Sequence, residues 1–139
     1  DSLKQLNIDL EIQPMSWPDM VAACKSPDTF PDLFPVYQTA NYGDPDNIAF
    51  AAYHSSQNGN WQNAVYANPE VDRLATLTRT ETDPDLRRKA YHDLAAAIGK
   101  DRAVIYLYHR NWLWAYSPRL AGVRNIPDGL LRVQGLKLQ

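Results

Sequence analysis

The run Ala103-Val104-Ile105-Tyr106-Leu107-Tyr108 decides the fold class, because its residues are apolar or aromatic without alternation. Such a run reads as a strand covered on both faces, lying in the middle of a sheet. Two helices precede it. Asn68-Pro69-Glu70 supplies a capping residue, a proline at the first helical position and an acid in the first turn, and Val71, Leu74 and Leu77 then recur at helical spacing. Asp83-Pro84 opens the second helix in the same way. Its buried stripe is Leu86, Ala90, Leu94, Ala97 and Ile98, and Gly99 fits the left-handed residue that closes many helices. With almost no loop between them, the two helices should form an antiparallel pair packed beside the sheet.

Further strands are expected on both sides. Trp112 to Tyr116 alternates, Pro118 turns the chain, and Pro127-Asp128-Gly129 is a second turn before Leu131 to Leu138. Near the start, Ile8, Leu10 and Ile12 alternate with Asp9, Glu11 and Gln13, and Pro14 ends the run. Ser16, Pro18 and Asp19 then announce a short helix through Met20, Val21 and Cys24. Leu33 to Tyr37 is a brief apolar run in which Pro35 implies an edge position. Ile48 to Tyr53 reads as a short helix, and His54 to Ala64 as an irregular, lid-like segment. Strands and helices interleave without a strict alternation, which makes the chain a mixed-sheet α/β unit. Its 139 residues amount to one domain, 1–139.

Composition narrows the function. A net charge of −2 is no footprint for nucleic acid or an anionic membrane surface. Cys24 is the sole cysteine, so neither an intrachain disulfide nor a cysteine zinc site can form, and a buried inert thiol is expected. No apolar run is long enough to span a bilayer. Asp1 to Leu6 reads as the last turn of a helix, so the chain is expected to be a fragment of a longer protein.

The candidate site is the stretch Tyr37-Gln38-Thr39-Ala40-Asn41-Tyr42-Gly43-Asp44-Pro45-Asp46-Asn47, which joins an apolar run to a helix start through turn-forming residues. Pro45 fixes its own φ and biases Asp44 away from the α region, while Asp46 and Asn47 can fold onto neighbouring amides. A shaped loop at a strand end is where α/β proteins hold ligands. Asp44 and Asp46 as a catalytic carboxylate pair weigh less than the same residues as a turn device. His54, His92 and His109 lie in three elements without metal-ligand spacing, and His92 fits a solvated helix face. Ser55 and Ser56 beside His54 lack a nucleophile elbow. Arg87 and Arg88 read as a solvated helix face, with Asp85 in reach of Lys89.

Taken in order, Tyr42-Gly43-Asp44-Pro45-Asp46-Asn47, His54-Ser55-Ser56, Tyr66-Ala67-Asn68-Pro69-Glu70-Val71-Asp72-Arg73-Leu74, Glu81-Thr82-Asp83-Pro84 with Arg87-Arg88, Ile105-Tyr106-Leu107-Tyr108-His109 and Pro127-Asp128-Gly129-Leu130 form a set. The set resembles the carboxyl-terminal part of the family 5 extracellular solute-binding proteins, the dipeptide, oligopeptide and nickel type receptors of ATP-driven (ABC) importers. The resemblance covers essentially the whole chain. It implies a type II periplasmic-binding-protein-like lobe, a mixed sheet with flanking helices, cut from a larger two-lobed protein. Residues 103–139 would supply strands returning toward the first lobe.

The implied task is capture of a solute, without chemistry or cofactor, for delivery to a membrane permease from the periplasm or cell exterior. Ligand-binding residues would be Gln38, Asn41, Tyr42 and Asp44, with Trp61 beside them. Gln38 stands where the family has a pocket tryptophan, and Asn41 where it has an aspartate that pairs with a peptide's free amine. An amide supplies no negative charge, so a bound ammonium forgoes a charge-assisted bond of about 1.5 to 3 kcal/mol. The solute would then be a peptide held otherwise, an opine-like conjugate or a saccharide. A ligand-sensing domain of a transcription regulator is the alternative. Trp112, Trp114 and Tyr116, left uncovered in a fragment, would favour self-association.

Overall fold

Four helices carry the structure, a computed structural model that describes residues 3–39, 42–109, 111, 113–124 and 133–139. α1 is Trp17–Ala23, α2 is Asp46–Tyr53, α3 is Pro69–Thr80 and α4 is Pro84–Asp101. Each of the longest two starts as its capping chemistry requires. Asn68 Oδ1 accepts from the amides of Glu70 at 2.8 Å and Val71 at 3.4 Å, and Asp83 Oδ1 from those of Asp85 at 2.9 Å and Leu86 at 3.0 Å. In α1, Ser16 caps through the amide of Asp19 at 3.3 Å.

α3 and α4 pack together across the short connection 81–83, and α2 packs on α3. Their shared core is Ala49, Ala52 and Tyr53 from α2, Val71, Leu74 and Ala75 from α3, and Leu94 and Ile98 from α4. Of the stripes expected of the two long helices, Val71, Leu74, Leu94 and Ile98 lie in this core and Ala90 is buried, whereas Leu77 and Ala97 are half-buried and Leu86 faces water. The end of α4 departs from expectation. The helix passes Gly99 and closes on Arg102, whose φ is 53°. Asp101 accepts hydrogen bonds from Tyr66 Oη at 2.6 Å and Asn68 Nδ2 at 2.5 Å, contacts that favour carrying the helix another turn.

The mixed sheet is not there. Among the described residues the sheet consists of two short antiparallel strands, β1 (Leu120–Ala121) and β2 (Lys137–Leu138), paired Leu120 with Leu138 and Ala121 with Lys137. The expected α/β, type II periplasmic-binding-protein-like lobe is therefore corrected to a helix-rich unit. Ala103 to Tyr108 is unpaired chain, with Ile105 76 %, Tyr106 78 %, Leu107 74 % and Tyr108 80 % exposed. Ile8 to Ile12, Leu33 to Tyr37 and the described part of 112–116 form no strands either.

The physical reason is that apolar pattern records which side chains want cover, whereas a strand also needs a neighbour's backbone to bond to. None of these runs has one among the described residues. Six of the ten prolines fall from Pro14 to Pro45, and each removes a backbone donor from that stretch. The turn at Pro127-Asp128-Gly129 and the positions of Leu131 and Trp112 lie outside the described residues.

Glycine is required where the strands' flanks meet. Gly122 has φ +82°, and a Cβ built there would lie 2.1 Å from the carbonyl oxygen of Gly135. Cys24 is fully buried, as expected of an inert thiol.

Candidate functional site

The loop into α2 is shaped by its own aspartates. Asp44 Oδ1 accepts from the amide of Asp46 at 2.9 Å, the turn chemistry expected of Asp-Pro-Asp. The same carboxylate reaches across to α4. Arg87 donates from one guanidinium nitrogen to Oδ1 at 2.8 Å and Oδ2 at 2.9 Å, and Tyr91 Oη donates to Oδ1 at 3.1 Å. Arg87 Nε also donates to the carbonyl of Thr78 at 2.8 Å, so one side chain ties the loop, the end of α3 and the start of α4.

A second pair lies beside the first. Arg79 Nε is 2.8 Å from Asp46 Oδ1, and its guanidinium carbon sits 4.0 Å from the centre of the Phe50 ring. Tyr42 Oη donates to Asp46 Oδ2 at 3.3 Å. Tyr42, Asp44, Asp46, Arg79 and Arg87 together line a cleft of about 260 Å³. The amide of Asp46 is the chief cause that holds the Asp44 carboxyl below the usual carboxylate range; burial opposes it, and the Arg87 and Tyr91 donors reinforce it. Arg87 is raised in turn, chiefly by its hydrogen bond to Asp44.

Of the expected ligand-binding residues, Tyr42 and Asp44 therefore share one cleft, and Asp44 already has cationic and phenolic partners. Gln38 and Trp61 meet elsewhere. Gln38 Nε2 donates to the carbonyl of Gln62 at 3.4 Å, next to Trp61, whose ring stands edge-on to Trp17 with centroids 5.2 Å apart. Asn41 lies outside the described residues. Missed in the sequence were Arg79, Tyr91 and Trp17. Arg87 was misread as a solvated face: it is half-buried and turned to Asp44. Its neighbours do behave as surface charges, with Arg88 paired to Asp85 at 3.0 Å and Lys89 to Asp93 at 2.6 Å. His92 is exposed on α4, as expected.

Trp61 sits on a rigid tip. The amide of Asn63 donates to the carbonyl of Asn60 at 2.9 Å, making Trp61 and Gln62 the central residues of a tight turn. Asn63, 3 % exposed, staples the loop: Nδ2 donates to the carbonyls of His54 at 3.0 Å and Tyr66 at 3.2 Å, and Oδ1 accepts from the amide of Tyr66 at 2.9 Å.

No hydrolytic arrangement forms at His54-Ser55-Ser56. Ser55 Oγ donates to Asp72 Oδ2 at 2.5 Å and its amide to Oδ1 at 2.7 Å. His54 Nδ1 accepts instead from the amide of Ser56 at 3.1 Å, and its ring stacks on Phe50. Ser55 is thus bound to the carboxylate and His54 Nδ1 to a backbone amide, while His54 Nε2 lies 3.4 Å from the Thr76 hydroxyl, so Ser55 is not paired with the imidazole. Among the described residues no cluster of histidine, cysteine, aspartate and glutamate could hold a metal ion, and no helix is long and apolar enough to cross a membrane.

The fold and site define a small helical unit with an ion-paired loop. No protein-family model matches the chain, and no solved structure matches it. Over 128 residues it is 28 % identical to Protein XP55 of Streptomyces lividans, an alignment that covers 91 % of this chain and 22 % of that protein. The chain thus spans about a fifth of the length of this curated relative.

Proposed function

We propose that the chain is the carboxyl-terminal section of a solute-binding component of an ATP-driven importer. It captures a small peptide-like or polar solute outside the cytoplasmic membrane and delivers it to the permease, with no reaction performed. One observation carries the reading. Motifs that carry the family resemblance in sequence touch one another in space: Asp44 of the loop holds Arg87, and Ser55 holds Asp72, while Asp46, Tyr66 and Asn68 reach Arg79 and Asp101 just outside the motifs. Residues linked in this way form a frame for a loop, as a binding protein without catalysis needs. Protein XP55 is much longer than this chain, as members of the resembled family are.

Purification of the full-length protein from its host, with mass spectrometry of whatever small molecule accompanies it, tests the reading. A thermal-shift panel of small peptides, opines and oligosaccharides completes the test. A ligand at a hundredfold excess over its Kd stabilises the folded protein by about 2.7 kcal/mol, a readily measured rise in Tm. At least one solute class is expected to give a saturable rise. No accompanying molecule and no shift with any class would refute the proposal, and specific binding to duplex DNA would favour the regulator alternative.

A further inference from the structure

We infer that Trp17, Trp61 and the side-chain amides of Gln38 and Asn60 form a binding platform for a neutral oligosaccharide. The inference rests on the solute-binding reading and names the solute class. Three observations meet at this place. First, the two indoles stand edge to face at 5.2 Å and 66°, and Trp17 is 57 % exposed although it begins a helix whose other end buries Cys24 completely. Exposed apolar surface is costly in water, so a large exposed ring set against a second indole is a feature that a ligand can use.

Second, the support is stiff. Trp61 is a central residue of the tight turn closed by Asn60 and Asn63, and the buried Asn63 amide fastens that turn to His54 and Tyr66. The loop also leans on the end of α1: a Cβ added at Gly59 would lie 3.7 Å from the carbonyl oxygen of Lys25. Trp61 is therefore held by its own fastened turn, and the edge-to-face contact sets Trp17 against it.

Third, the polar groups at the platform are neutral. The hydrogen bond of Gln38 Nε2 to the Gln62 carbonyl, at 3.4 Å, brings the loop leading to the cleft against Trp61, and it leaves Gln38 Oε1 to accept. The Asn60 carboxamide accepts from the Gln62 amide at 3.2 Å. Amides offer donors and acceptors in pairs, which suits the hydroxyls of a sugar, while the indole faces suit its C–H faces. A peptide's charged ends would find no opposite charge among these four side chains.

Tryptophan emission of the full-length protein, titrated separately with cellotetraose, xylotetraose and a tetrapeptide, tests the inference. A saturable change with an oligosaccharide is expected, weakened at least tenfold in both Trp17→Ala and Trp61→Ala and kept within about threefold in Trp17→Phe. Circular dichroism identifies any variant that fails to fold, and for such a variant Gln38→Ala supplies the comparison. Peptide binding without oligosaccharide binding would overturn the platform and leave the solute-binding reading standing. Oligosaccharide binding that is indifferent to both tryptophans would overturn it too. No binding of any solute class would overturn both.

Discussion

Asp44 and Asn63 do most of the local fastening, and they do so by different physics. Asn63 is neutral and buried, so its worth lies in the three hydrogen bonds it makes to the backbone of His54 and Tyr66. Asn63→Ala should cost about 2 to 3 kcal/mol and loosen the Trp61 turn, measured by denaturant unfolding and by a red shift in tryptophan emission. Asp44 is charged and partly exposed, and its effect depends on pH. Its native pKa lies below the ordinary value of about 4, so its stabilisation is complete above that value and is lost as the pH falls through the native one. Asp44→Asn should therefore lower Tm at neutral pH, and the two melting curves should converge as the pH falls below the carboxylate range. Curves offset equally at every pH would show that the charge of Asp44 is idle.

At this scale the sequence was informative where a residue acts on its neighbours and silent where it acts across the fold. The turn role of Asp-Pro-Asp follows from adjacency, since Asp44 bonds an amide two residues away. That Arg87 would turn to Asp44 is not readable from spacing, because the partners lie 43 positions apart. Trp17 went unnoticed for the same reason: only the folded loop brings Trp61 to it.

The helices were legible because their signals are local. A capping side chain, a proline in the first turn and an apolar stripe fix the starts and buried faces of α3 and α4 without reference to the rest of the chain, whereas the end of α4 at Asp101, past Gly99, is held by Tyr66 and Asn68. Asn68→Ala should accordingly cost about 1 kcal/mol from the lost cap. Leu94→Ala, in the shared core at 2 % exposure, should cost about 2 to 5 kcal/mol. Chemical denaturation measures both, and a smaller loss at Leu94 than at Asn68 would mean that the helical core is misplaced. The strands were misread because their signal is not local. Val104 to Tyr108 carries the apolar side chains of an interior strand, but a strand exists only where another backbone runs beside it. Among the described residues the one ladder is the two pairs of Leu120–Ala121 with Lys137–Leu138, besides an isolated bridge between Asn60 and Asn63.

For the molecule as a whole, the consequence is a large apolar surface in water. Ile105, Tyr106, Leu107 and Tyr108 follow one another at 74 to 80 % exposure, and Leu113 is 91 % exposed. Contiguous apolar patches of this kind are unusual on monomeric proteins and promote association. The isolated 139-residue chain should therefore self-associate in a concentration-dependent way, seen by light scattering. Ile105→Lys with Leu107→Lys should shift it toward monomer. A monomer at every concentration in the unmodified chain would show that this surface is covered.

The same whole-molecule view joins the two parts of the proposed site. Gln38 contacts the loop at Trp61, while Asp44, six residues later, is fixed to α4, so one loop spans the indole pair and the charged cleft. Hydrogen exchange of the full-length protein, with and without the solute that gives the largest thermal shift, tests whether this span is where a solute sits. The account predicts slower exchange of amides in 42–47 and in the turn 58–66, with the interior of α4 unchanged. Saturating solute that leaves both loops exchanging at their free rate would contradict it.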